Sequence, residues 1–128
     1  MRLLLDTHVF LWWLDGDRRL SAKVRRLVAD EANEIVVSAV SAFEITTKTR
    51  IGKLPGAYVV AADVGICIAS QGFVAMPISI EHAERAGRLP GPHRDPFDRL
   101  LIAQSQAEGI PIVSVDDAFD AYGLTRIW

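Results

Sequence analysis

Four carboxylates, Asp6, Glu44, Asp98 and Asp116, stand where a fold can bring acids together. Asp6 closes the apolar run Leu3-Leu4-Leu5, and Asp116 closes the apolar run 110–115. Glu44 lies about two turns into a helical pattern that follows the apolar run 34–37. Asp98 belongs to Arg94-Asp95-Pro96-Phe97-Asp98-Arg99-Leu100-Leu101-Ile102-Ala103-Gln104, which reads as the opening of an apolar helix. Pro96 suits the first turn, where its missing N–H costs nothing. Four carboxylates in one cleft repel each other and lose solvation. A fold tolerates that when hard divalent cations hold the acids together, and oxygen-only donors point to Mg²⁺ or Mn²⁺ rather than zinc.

Each acid has a plainer reading. Asp6-Thr7 can be a turn and N-cap, the commoner outcome for a lone Asp-Thr pair. Ser41-Ala42-Phe43-Glu44 can be a capping box, and for Glu44 alone this is as good a reading as a site. An Asp in the first turn of a helix, such as Asp98, complements the dipole. Asp116-Asp117 can be turn chemistry. His8 and His93 can be ligands, but neither has a partner His at helical spacing. The basic cluster Arg18, Arg19, Lys23, Arg25 and Arg26 reads as a solvated face. Trp12 and Trp13 are adjacent and cannot both face the core from one short helix.

The elements decide between these readings. Residues 2–5 form a short apolar run that reads as a central parallel strand. A short helix over 9–14, closed by Asp15-Gly16, follows. A helical segment over 21–33 opens on Ser21, with Val24, Leu27 and Val28 on one face. A strand over 34–37 ends at Ser38, and a third helix runs from Ser38 to the region of Gly52. One further helix is expected over 58–70, stopped by Gly72, then a strand over 73–77 and a helix over 80–88. The Asp98 helix ends at Gly109, a strand covers 110–115, a short helix covers 118–122, and an edge strand covers 124–127. Strands alternating with helices predict an α/β fold: one parallel sheet with helices on both faces and the first strand central. Asp6, Glu44 and Asp116 then converge at the carboxyl edge of that sheet, where sites gather. Asp98 starts a helix that must begin near the same edge.

Length and composition set the bounds. The 128 residues, half of them hydrophobic, suit one domain over 1–128 with a real core. No apolar run is long enough to cross a bilayer, and no signal peptide is evident. The single Cys67 rules out an internal disulfide and fits a reducing, cytoplasmic setting. A net charge of −2 does not advertise a nucleic-acid partner, unless an acidic pocket masks local basic residues in the total.

At these residues the sequence resembles the PIN domain family and, within it, the VapC-type toxins of toxin–antitoxin pairs. The matching pieces are Leu4-Leu5-Asp6-Thr7-His8, the stretch from Ser38 through Glu44-Ile45, Asp95-Pro96-Phe97-Asp98-Arg99 with Leu101-Ile102-Ala103-Gln104, and Ser114-Val115-Asp116. They span essentially the whole chain, in family order. The resemblance implies a PIN-like fold and a Mg²⁺- or Mn²⁺-dependent ribonuclease, with an acidic site of Asp6, Glu44, Asp98 and Asp116. It adds Thr7, Ser114, Asp95 and Asp117 as supporting residues. It implies an RNA substrate, a cognate VapB-type antitoxin and a homodimer. An antitoxin helix is expected near Trp12 and Trp13, sending an Arg or Lys toward the acids. One departure is Phe43, where many relatives carry Trp. Phosphodiester cleavage needs an activated water and relief of charge on the phosphate, both of which such ions supply.

Rival readings fit less well. A haloacid-dehalogenase-like phosphatase needs a second acid two residues after Asp6, where His8 stands. A phosphoacceptor receiver domain needs an acidic pair after the first strand and an Asp after a middle strand, where Ser38 stands. A catalytically idle interaction module has no reason to keep four acids.

Overall fold

The computed structural model describes residues 1–92 and 95–128. His93 and Arg94, the second a member of the motif around Asp98, lie outside them. Five strands make one sheet: β1 (Arg2–Leu5), β2 (Glu34–Ser38), β3 (Val74–Met76), β4 (Ile112–Val113) and β5 (Arg126–Ile127). Their order is β3-β2-β1-β4-β5, and every pairing is parallel. The first strand is central, as its two-sided apolar run requires. Leu3, Leu4 and Leu5 are fully buried, with Leu3 and Leu5 packed into one apolar layer and Leu4 into the other. This is the period-2 alternation of a strand covered on both sides.

Between the strands lie α1 (Thr7–Asp15), α2 (Ala22–Ala29), α3 (Ala39–Arg50), α4 (Tyr58–Ala62), α5 (Val64–Ser70), α6 (Ile80–Arg88) and α7 (Pro96–Glu108). Val9 and Phe10 of α1, Val24 and Val28 of α2, and Val64 and Ile68 of α5 pack on Leu3, Leu5, Ile35 and Val37. Leu101 and Ile102 of α7 pack with Phe119 on Leu4, Val36 and Ile112. Trp12 and Trp13 are both partly buried. Trp12 meets Trp128 edge-on at 5.9 Å, and Trp13 meets Phe73 at 6.2 Å.

Several elements differ from the sequence reading, among them the edge strand expected over 124–127, which pairs only at Arg126–Ile127. The segment 58–70 is two helices, because Asp63 breaks it. Its carboxylate accepts the Ile66 N–H at 3.0 Å and caps α5, as Asp prefers to do over joining a helix interior. The helix opening at Ser21 stops at Ala29. There the Asp30 carboxylate accepts the Ala32 N–H, and Asn33 donates to the Leu27 carbonyl, both at 2.9 Å. The strand expected over 110–115 pairs only at Ile112–Val113. Pro111 has no N–H to give the ladder, although its carbonyl still accepts from Leu4 N–H at 3.0 Å. The segment after Asp116 is a single 3₁₀ stretch, Asp117–Tyr122. No helix among the described residues is long and apolar enough to cross a membrane.

Candidate active site

Beyond the carboxyl ends of β1, β2 and β4 lies a cleft of about 290 Å³. It is lined by Asp6, Glu44, Asp95, Asp98 and Asp116 together with His8, Trp12, Lys48 and Val115. The chain thus brings five acids to one place from four stretches that are far apart in sequence.

Asp6 caps a helix and also lines the cleft. Its Oδ1 accepts the Thr7 N–H at 2.7 Å and so caps α1. Its Oδ2 accepts the Ser114 hydroxyl at 2.7 Å, across 108 residues of chain. Ser114 Oγ in turn accepts the Asp116 N–H at 3.0 Å, so one buried hydroxyl ties the ends of β1 and β4 together. Burial raises the Asp6 carboxyl above the ordinary aspartate value, and the Glu44 charge pushes the same way. The Ser114 hydroxyl, the His8 charge and the Thr7 N–H oppose it without cancelling it.

Glu44 is not the third residue of a capping box. Ser38 caps α3 by accepting the Val40 N–H at 2.9 Å. Ser41 instead meets the Thr7 hydroxyl at 2.9 Å, which fastens α3 to α1. Glu44 therefore projects from the second turn of α3 into the cleft, only 3 % exposed. Its Oε2 accepts a hydrogen bond from Lys48 Nζ, one turn further on, and its buried Oε1 has no hydrogen-bond partner among the described residues.

Asp95 is the N-cap of α7, accepting the N–H groups of Phe97 at 2.9 Å and Asp98 at 3.3 Å. Pro96 then opens the helix and Asp98 completes its first turn at the cleft. Arg99 secures the approach to this turn by donating to the Ala86 and Leu89 carbonyls at 3.1 and 2.6 Å. Asp116 is exposed and caps the 3₁₀ stretch through Ala118 N–H at 2.9 Å. Asp117 is not among the cleft's lining residues. It stands in the 3₁₀ stretch, where its charge acts on Arg126. Thr7 and Ser114 stand behind the lining, holding what does line it.

Sequence reading passed over Lys48. The ammonium lies 5.7 Å from the Phe97 ring centroid, and Phe97 meets Phe43 edge-on at 5.4 Å. Burial alone would lower the Lys48 pKa. The Glu44 hydrogen bond and the charges of Glu44, Asp95 and Asp98 outweigh it and raise the value instead. The signal was available, since Glu44 and Lys48 stand four apart on a predicted helix. It looked like an ordinary surface pair because burial could not be read.

The donor set suits a hard divalent cation. Every acid offers oxygen, and the Glu44 Oε1 is a buried acceptor lacking a partner. Among the described residues, no three His, Cys, Asp or Glu side chains close around one point as an ion would require. The cation beside Glu44 is the Lys48 ammonium.

Comparison with known proteins agrees with this architecture. The PIN domain model matches residues 3–124. Among solved structures, the chain is similar to the VapBC2 complex of Rickettsia felis, bound to a DNA fragment from its promoter, at 16 % identity. That match has a TM-score of 0.71 over 99 % of this chain and 98 % of the other. It is also similar to VapC20 of Mycobacterium tuberculosis, a sarcin–ricin-loop-cleaving toxin, at 21 % identity. There the TM-score is 0.70, with 98 % of each chain covered. A toxin–antitoxin complex from Klebsiella pneumoniae matches at 16 % identity, with a TM-score of 0.63 over 98 % of this chain and 96 % of that one. No curated protein gives a sequence match.

Proposed function

The chain belongs to the PIN domain family, and from that premise we propose that it is a metal-dependent endoribonuclease, the toxin of a VapBC-type toxin–antitoxin pair. The observation that carries the reading is the cleft itself. Two buried acids, Asp6 and Glu44, and three more accessible ones, Asp95, Asp98 and Asp116, face a common space at the carboxyl edge of a parallel sheet. A structural role explains one or two such residues as caps. It does not explain a buried glutamate facing four other acids with one oxygen unpartnered among the described residues.

In this reading Asp6, Glu44, Asp98 and Asp116 hold Mg²⁺ or Mn²⁺. Such an ion, held by these carboxylates, would supply an activated water and relief of charge on the phosphodiester. The chain's own part is to fix the donors. Ser114 locks the Asp6 carboxylate, and the Asp95 cap sets the turn that presents Asp98. The Thr7–Ser41 contact holds α3, and with it Glu44, against α1. The similar structures are toxins or toxin–antitoxin complexes, which supports a cognate antitoxin as partner. A helix from such an antitoxin would reach the cleft past Trp12, which lines it. A homodimer and a cytoplasmic location belong to the same proposal.

The test is incubation of the purified protein with total cellular RNA in Mg²⁺, Mn²⁺ or EDTA, with the cut ends mapped. Discrete cuts that need the ion and vanish in Asp98→Asn support the reading. RNA left intact under all three conditions, with the chain folded and free of any bound antitoxin, overturns it.

A further inference from the structure

Lys48 differs from the other cations of this surface. Arg85 and Arg88 pair with Glu81 and Glu84 at the same four-residue spacing, but those partners are exposed. Such exposed pairs are screened by water and contribute little. The Glu44 side chain is 4 % exposed, and among the described residues the Lys48 ammonium is the one hydrogen-bond donor to its carboxylate. Among the described residues the cleft holds five acids against Lys48 and His8, and Asp95 and Asp98 also act on the Lys48 ammonium. Lys48 is itself 25 % exposed and lies along the Phe97 ring, so its path toward solvent is open. The flexible four-carbon stem lets the ammonium swing without moving the helix.

We propose that Lys48 is the built-in counter-ion of the empty carboxylate cleft and the competitor of the divalent ion that fills it. It satisfies Glu44 when no ion is bound and releases Glu44 when one enters, so it sets the ion concentration at which the cleft loads. The proposal rests on the metal-dependent reading above. Two opposite effects follow from removing the charge. The ion-free cleft loses the compensation that the described residues give Glu44 and becomes less stable, because a buried carboxylate left alone is costly. The ion binds more tightly, because a unit positive charge a few ångströms from a divalent ion repels it even through a high dielectric.

The experiment is calorimetric titration of the whole chain with MnCl₂, paired with thermal unfolding in EDTA. It compares the parent with Lys48→Met, Lys48→Arg and Asp98→Asn. Lys48→Met is expected to unfold at a lower temperature than the parent in EDTA, yet to bind Mn²⁺ about tenfold more tightly. Lys48→Arg keeps the charge and should bind within about threefold of the parent on the same grounds. A merely structural lysine would lower both stability and affinity. Parental or weaker affinity in Lys48→Met overturns the proposal, as does equal tightening in Lys48→Arg. Should Lys48→Met fail to fold, Lys48→Gln carries the same titration, since its neutral amide can still donate to Glu44. Absence of Mn²⁺ binding in the parent, or parental binding in Asp98→Asn, overturns the metal reading itself. A Lys48 failure leaves that reading standing.

Discussion

Among the described residues, two places bury ionisable side chains, and they do so in opposite ways. Between α6 and α7, His82 is 4 % exposed and both ring nitrogens are engaged. Nδ1 accepts the Ser79 N–H at 3.0 Å while the Ser79 hydroxyl accepts the His82 N–H, a reciprocal cap at the start of α6. Nε2 meets Glu108 at 3.0 Å, and Gln104 donates to the Pro77 carbonyl at 3.2 Å beside them. At the sheet's carboxyl edge, Asp6 and Glu44 are as deeply buried. Yet Asp6 sits above its ordinary pKa, and Glu44 keeps an oxygen without a partner. The first region uses polar groups to close a helix junction. The second gathers like charges with too few partners, an arrangement that costs stability and makes sense where something binds.

The largest effect should come from breaking the second region. Asp98→Asn and Asp6→Asn keep shape but each deletes a charge, and at Asp6 an amide NH₂ replaces one of the two accepting oxygens. RNA cleavage in Mn²⁺ should fall by about 100-fold or more. Unfolding in EDTA should stay at the parental temperature or rise, because repulsion within the cleft is relieved. Full activity in either variant would remove that residue from the site, and lost activity with a much lower melting temperature would make it structural.

The first region should break in the reverse sense. His82→Ala removes a cap and a buried hydrogen-bonding group and should cost about 1–3 kcal/mol in urea unfolding. Cleavage per folded molecule should not change. A large loss of cleavage at full stability would join the two regions and end the contrast.

Ser114→Ala falls between them. It strips Asp6 Oδ2 of its donor and Asp116 N–H of its acceptor. A stability loss of about 1 kcal/mol is expected, together with slower cleavage. Only the cleavage should be partly rescued by raising Mn²⁺.

The smallest effect is a pH dependence. The folded-state pKa of Asp6 is raised, so the native chain holds a proton there that the unfolded chain has lost. In that interval stability rises as pH falls, from above the raised value down to the ordinary aspartate value near 3.8. Below it Asp6 contributes no further slope. Melting curves in EDTA should show this upward contribution in the parent and lack it in Asp6→Asn. Identical pH slopes in the two proteins would mean that Asp6 is not strained by burial.

Much of this was written in local sequence, because it depends on neighbours a few residues apart. The run Leu3-Leu4-Leu5 can only be a strand covered on both sides. Ser21 caps α2, Pro96 opens α7, and Gly16 and Gly109 end their helices in the left-handed conformation at φ 62° and 64°. Alternating strands and helices made the sheet parallel, and parallel topology carried Asp6, Glu44 and Asp116 to one edge. Tertiary structure alone decided how those acids are held and how far each is buried. The Ser114–Asp6 bond joins residues 108 apart, and Thr7 meets Ser41 across 34. Neither has a local signature, since a hydroxyl's partner depends on which strands become neighbours. That Glu44 is not the third residue of a capping box was decided by where α3 starts. The difference between Lys48 and an ordinary surface lysine was settled by burial of its partner. The sequence set which groups arrive at the cleft, through periodicity and capping, and packing set which of them arrive without enough partners.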